Sequence, residues 1–133
     1  MDYIIDSYAW VEYFLGSGKS EVMKRLLLNE KNLFFTVECC LAEIKGWALK
    51  NDRDFDKLFS IIKADSTILE VTEHNWIDAA EERFEQRKTR KDFGLIDSVI
   101  LTKKKELNCK IISGDKHFEG MKDVLFLKYL KKN

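Results

Sequence analysis

Four carboxylates in this chain of 133 residues keep unusual company. Asp6 ends the apolar run Tyr3-Ile4-Ile5, and Asp115 follows Ile111-Ile112-Ser113-Gly114. Glu43 lies in CLAEIKGW and Asp97 in FGLIDSVIL, segments that are otherwise mostly apolar or small. An ionised carboxylate in apolar surroundings is costly unless it is paired or holds a cation. Each acid also has a simpler use. Asp6 can cap the first helix, and Glu43 can edge a solvated stripe. Asp97 can face the dipole in the first turn of its helix, and Asp115 can shape a turn after Gly114. Together, with no histidine or cysteine partner, the four would form an all-oxygen site suited to Mg²⁺ or Mn²⁺ rather than Zn²⁺. With a cation bound, such a site attracts a phosphodiester and makes a nucleophile from water.

The elements that must bring these acids together alternate along the chain. The apolar runs YII, NLFFT, TILEV, KIIS and DVLFL read as short strands. Between them, apolar residues recur at helical spacing: Tyr8, Val11, Phe14 and Leu15; Val22, Met23, Leu26 and Leu27; Cys40, Ile44, Trp47 and Ala48. DFDKLFSIIKA predicts a further helix capped by Asp52 or Asp54. Thr72 stands as an N-cap before a polar helix over about 75–87, and FGLIDSVILTKKKEL predicts the last long helix. Strands that are runs rather than alternations are buried on both faces. The fold class is therefore an α/β sandwich with a mainly parallel sheet. In such sheets ligands sit beyond the strand C-termini, where the strand order switches direction. Asp6 and Asp115 meet there if the first and fourth strands are neighbours. Asp6 is read as a ligand placed by the first strand, with helix capping either left to Ser7 or incidental to the same loop.

Composition bounds the rest. The length suits one domain over 1–133. The content is 45% hydrophobic and 35% charged, as in globular proteins, and 23 basic residues balance 23 acidic ones. Net charge therefore gives no push toward nucleic acid or membrane. No basic region precedes an apolar stretch at the N-terminus, and no run approaches the roughly 20 apolar residues that span a bilayer. A cytoplasmic protein is expected. Cys39, Cys40 and Cys109 form no CxxC pattern and read as small buried hydrophobes. GSGKS lacks the glycine of a phosphate-binding loop, since Tyr13 occupies that position.

Four segments, in order, resemble the motifs of PIN-domain nucleases, most closely the small single-domain VapC-like toxins. DSYAWVEYFLGS resembles the opening Asp motif, LAEIKGWALK the Glu motif, FGLIDSVIL the third and IISGDKHFEGM the fourth. The resemblance spans the whole chain. It implies a five-stranded sheet in the order 3-2-1-4-5 flanked by helices, with Asp6, Glu43, Asp97 and Asp115 as Mg²⁺ or Mn²⁺ ligands. Ser7 and Ser113 would contact the ligands or a substrate phosphate. The implied activity is RNA cleavage by a metal-activated water, leaving a 5′-phosphate and a 3′-hydroxyl. A homodimer and a small antitoxin partner are implied as well. SVILTKKKEL departs from the alanine-rich continuation common in the third motif, which bears on helix packing and the dimer surface.

The basic run Arg83, Arg87, Lys88, Arg90 and Lys91 would hold an RNA backbone if it borders the acids. Otherwise it is a solvated face balanced by Glu81, Glu82 and Glu85. Arg87, Arg90 and Lys91 are the candidate contacts. Lys103 to Lys105, a second run that could also hold RNA, read as a solvated helix face, and His117, which could touch a phosphate, reads as an exposed turn residue. Trp10, Tyr13 and Phe14 read as core or interface. The main alternative function is a non-catalytic PIN-like module that binds RNA or protein. A phospho-receiver domain fits poorly, because ILEVTEHN offers no acceptor Asp at the end of the third strand. A flap nuclease would need a much longer chain.

Overall fold

The structure, a computed structural model, describes residues 1–128. Five strands form one sheet: β1 (Asp2–Ile5), β2 (Leu33–Val37), β3 (Thr67–Leu69), β4 (Lys110–Ser113) and β5 (Val124–Phe126). Their order is β3-β2-β1-β4-β5, and all four pairings are parallel. This is the expected order, and β1 and β4 are neighbours as the convergence of Asp6 and Asp115 requires. The helices are α1 (Ser7–Leu15), α2 (Ser20–Leu28), α3 (Cys39–Lys50), α4 (Phe55–Asp65), α5 (Glu73–Gln86) and α6 (Leu95–Leu107). A short 3₁₀ turn, Lys116–Phe118, follows β4 and was not anticipated from the sequence.

The strands alternate between two cores. Ile4 and Ile111 face one core, where Ala79, Val99 and Ile100 cover them from α5 and α6. Tyr3, Ile5 and Ile112 face the other, covered by Ala9 and Trp10 of α1, Met23 of α2, Ile44 of α3 and Ile62 of α4. Burial on both faces explains why the strand segments read as continuous apolar runs. Trp10 is fully buried and donates from Nε1 to Thr36 Oγ1 at 3.0 Å, which satisfies its one polar atom. Its ring stacks with Phe14 and meets Tyr13 edge-on, so this aromatic group is scaffold. The cysteines are free: Cys40 and Cys109 are buried and Cys39 half-buried, as small hydrophobes should be. Among the described residues, no helix is long and apolar enough to cross a membrane.

Helix starts match their local signals. Asp54 caps α4 by accepting from Asp56 N. Thr72 and Asn75 form a reciprocal capping box at α5. At α1 the cap does not fall to Ser7. Asp6 is the cap, its Oδ1 accepting from Ala9 N at 2.9 Å, while Ser7 turns away to donate to Glu43. The reason is positional. The residue with extended backbone immediately before the helix has its side chain aimed at the first free N–H groups. Asp6 holds that place and Ser7 is already inside the helix.

Candidate functional site

The site lies beyond the C-terminal ends of β1 and β4, where the strand order switches. The register pairs Ile5 with Ile112, and Asp6 N donates to Ile112 O at 3.2 Å. Asp6 and Ser113 therefore emerge side by side, and Ser113 Oγ donates to Asp6 Oδ2. The same hydroxyl accepts from Asp115 N at 3.0 Å, so one buried serine ties the ends of both strands together.

Asp115 is set by the turn after β4. Its Oδ1 accepts from His117 N at 2.9 Å and caps the 3₁₀ turn. That turn swings the His117 ring back over the acids. His117 Nδ1 lies 3.4 Å from Asp115 Oδ1 and 2.9 Å from Asp97 Oδ2. Asp97 Oδ2 also accepts from Gly94 N at 3.0 Å at the start of α6. Ligand atoms of Asp97, Asp115 and His117 fall within 4.8 Å of one another, a spacing that one metal ion can bridge. The buried Phe93 meets the His117 ring edge-on and the Phe118 ring edge-on, walling this side of the cluster.

Asp6 and Glu43 stand next to this group rather than in it. Asp6 is almost completely buried. Burial pushes its pKa from 3.8 up to about 7; the Ser113 and Ala9 hydrogen bonds pull it down, and the charges of Asp115 and Asp97 raise it further. Glu43 sits on the exposed rim with Oε1 accepting from Ser7 Oγ at 3.0 Å. Loss of hydration raises its pKa, the Ser7 bond opposes this, and Asp97 and Asp115 add repulsion. Asp97 is likewise raised, first by burial and then by Asp115, against the Gly94 bond and His117. The charges of Asp97 and Asp115 thus bear on both Asp6 and Glu43, and Asp6, Glu43 and Asp97 are held above their ordinary range. Carboxylates set beside an imidazole can accept a divalent cation.

His117 is the residue that sequence reasoning missed. The expectation of a site without histidine, and of an exposed His117, does not hold: the ring is half-buried and its Nδ1 belongs to the cluster. The available signal was the Asp115-x-His117 spacing in a turn after a strand. That spacing says nothing until Asp97 is known to lie across from it.

The other candidates divide. Ser7 and Ser113 both touch acids. Arg90 donates to His117 O at 2.9 Å, and Arg87 Nε donates to Phe93 O at 2.8 Å. Both therefore brace the backbone on either side of the site. Lys91 is exposed nearby in sequence, with no contact to the acids described. The second basic run is not simply solvated: Lys103 is buried and reaches Glu106, Lys104 pairs with Asp123, and Lys105 pairs with Glu82.

No protein-family model and no curated protein sequence matches the chain. Solved structures match its three-dimensional form. The VapC20 toxin of Mycobacterium tuberculosis, described as cleaving the sarcin–ricin loop, superposes with a TM-score of 0.73 at 16% identity, over 92% of this chain and 98% of that one. VapBC2 from Rickettsia felis, solved on a promoter DNA fragment, gives 0.70 at 15% identity, over 95% and 97%. A toxin–antitoxin complex from Klebsiella pneumoniae gives 0.68 at 17% identity, over 96% and 99%. At these identities the likeness is one of fold. From end to end of those chains, this protein has the PIN-like fold of the VapC and VapBC toxin–antitoxin structures.

Proposed function

We infer that the protein is a divalent-metal-dependent endoribonuclease, the toxin of a toxin–antitoxin pair. The observation that carries this reading is the meeting of Asp97, Asp115 and His117 within 4.8 Å, at the strand-order switch, beside a buried Asp6. Asp6, Asp97 and Asp115 would hold Mg²⁺ or Mn²⁺, with Glu43 binding it or facing the attacking water. Bound there, the cation supplies an acidified water and positive charge opposite a scissile phosphate. The chain supplies the rest. Ser113 keeps one Asp6 oxygen in place and Gly94 N–H orients Asp97. His117 bridges Asp97 and Asp115. Ser7 occupies Glu43 Oε1, which leaves Oε2 to accept a proton from water. A carboxylate raised above its ordinary range is better matched to that task near neutral pH.

The fold's likeness to VapBC complexes supports a small antitoxin as partner and RNA as substrate. A cytoplasmic location fits such a role. A second copy of the chain would find a surface on α5. Trp76, Ala80 and Phe84 recur at helical spacing with Ile77 beside them, and all are exposed. Glu73 and Asp78 lie in the first half of α5, Arg83 in the second among Glu81, Glu82 and Glu85, and Arg87 and Lys88 just past its end, where Lys88 pairs with Glu85. An antiparallel α5–α5 contact would set acids against cations at both ends of an apolar centre.

The test is cleavage of single-stranded RNA in Mn²⁺ by the wild type, Asp97→Asn and Asp115→Asn. Each substitution should cut the rate by at least about a thousandfold while circular dichroism and melting stay native-like. EDTA should abolish the wild-type activity. Equal cleavage by the variants, or cleavage indifferent to EDTA, would sink the reading. No Mn²⁺-induced rise in the wild-type melting temperature would favour the non-catalytic binding module instead.

A further inference from the structure

Next to the acidic cluster, a groove of about 600 Å³ runs between α1 and the 3₁₀ turn. Tyr8, Lys19, Lys116, Glu119 and Phe126 line it, and it shares Asp115 and His117 with the cluster. Lys19 Nζ donates to Tyr8 Oη at 2.7 Å, so the ammonium is held at a fixed place on the wall. The Tyr8 ring is fixed in turn. A Cβ on residue 114 would fall 2.4 Å from Tyr8 Cε1, so the ring can lie where it does only because position 114 is glycine. The wall is thus pinned to the peptide between Ser113 and Asp115, the segment that carries the site's own acids.

We propose that this groove is a subsite for single-stranded RNA, in which the Lys19 ammonium, oriented by Tyr8 Oη, takes a backbone phosphate adjacent to the one at the acidic cluster. The inference rests on the ribonuclease reading for its substrate. Tyr8 and Phe126 supply aromatic surface and Lys19 and Lys116 supply ammonium groups in one lining, the combination of apolar surface and positive charge that grooves for single strands use. Two carboxylates, Asp115 and Glu119, also line the groove, so a bare anion gains little by entering. A cation on Asp115 removes one of these negative charges from the groove. Strand binding in the groove is therefore coupled to metal loading of the neighbouring acids.

The experiment uses the full chain with a fluorescently labelled single-stranded RNA. Cleavage is followed in Mn²⁺ and binding in Ca²⁺. Lys19→Gln should raise KM and weaken Ca²⁺-supported binding about tenfold, with a smaller change in kcat. Its slope of log affinity against log salt should be shallower by about 0.7. Lys19→Arg should regain most of the loss, Tyr8→Phe should raise KM about threefold, and Lys63→Gln on α4 should match wild type. In the absence of RNA, the Mn²⁺ concentration that half-saturates the rise in melting temperature should stay constant throughout. An active wild type whose KM and salt slope survive Lys19→Gln overturns the subsite and leaves the ribonuclease reading intact. A wild type that does not cleave, yet binds RNA with Lys19-dependent affinity, keeps the subsite and overturns the ribonuclease reading. A wild type that binds no RNA in Ca²⁺ overturns the subsite.

Discussion

Asp6, Asp97 and Asp115 each accept a backbone N–H at the start of their own helix. Capping does not compete with the proposed metal binding by these acids, since the bond is compatible with both. A cap fixes the carboxylate's rotamer and occupies one lone pair, leaving the others aimed out of the helix end. The arrangement is costly for Asp6, and two consequences follow. In the metal-free protein, folded Asp6 keeps its proton up to about pH 7, whereas the unfolded chain releases it near 3.8. Its contribution to stability is therefore fully present below about pH 4 and is lost as pH rises through about 7. The rise corresponds to about 4 kcal/mol at most. Urea titrations of wild type and Asp6→Asn in EDTA should diverge over that window, the wild type losing more stability as pH rises; parallel profiles would refute the assignment. Ser113 supplies the hydrogen bond that eases ionisation of Asp6. Ser113→Ala should weaken Mn²⁺ binding about tenfold in isothermal titration, in line with losing a ligand's supporting bond.

Elements carry stability and the site by separate means. The box of Thr72 and Asn75 starts α5 far along the chain from the acids, and no contact of Thr72 reaches them. Thr72→Ala should cost about 1 kcal/mol in chemical denaturation and leave the Mn²⁺-dependent cleavage rate unchanged. The segment between α5 and α6 behaves differently. Arg87 and Arg90 spend their guanidinium groups on the carbonyls of Phe93 and His117. The loop that delivers α6, with Asp97 in its first turn, is thereby tied to the turn that delivers His117. From the sequence these arginines read as a basic face, either for RNA or balanced by neighbouring acids in solvent. Carbonyl partners that lie six and twenty-seven residues away leave no periodicity to find.

At the scale of the whole molecule, the exposed stripe of Trp76, Ile77 and Phe84 is a surface that solvent does not explain. If it joins two copies, Phe84→Glu should shift sedimentation from dimer to monomer at micromolar concentration, with the far-ultraviolet spectrum unchanged. A wild type that sediments as a monomer would remove the dimer. The fold itself was largely legible along the chain. Apolar runs marked the five strands because both sheet faces are covered, and helical spacing together with cap residues marked the helices between them. The four acids were legible too, since charge set among apolar residues needs a reason. What only the tertiary structure decided was who stands opposite whom. The parallel register of β1 and β4 put Asp6 against Ser113, and the 3₁₀ turn carried His117 to Asp97. Lys19 came to rest on Tyr8, and Tyr8 on Gly114. Local patterning records which face a residue shows to the core. It holds no information about partners a hundred residues away, which the packing of the two layers selects.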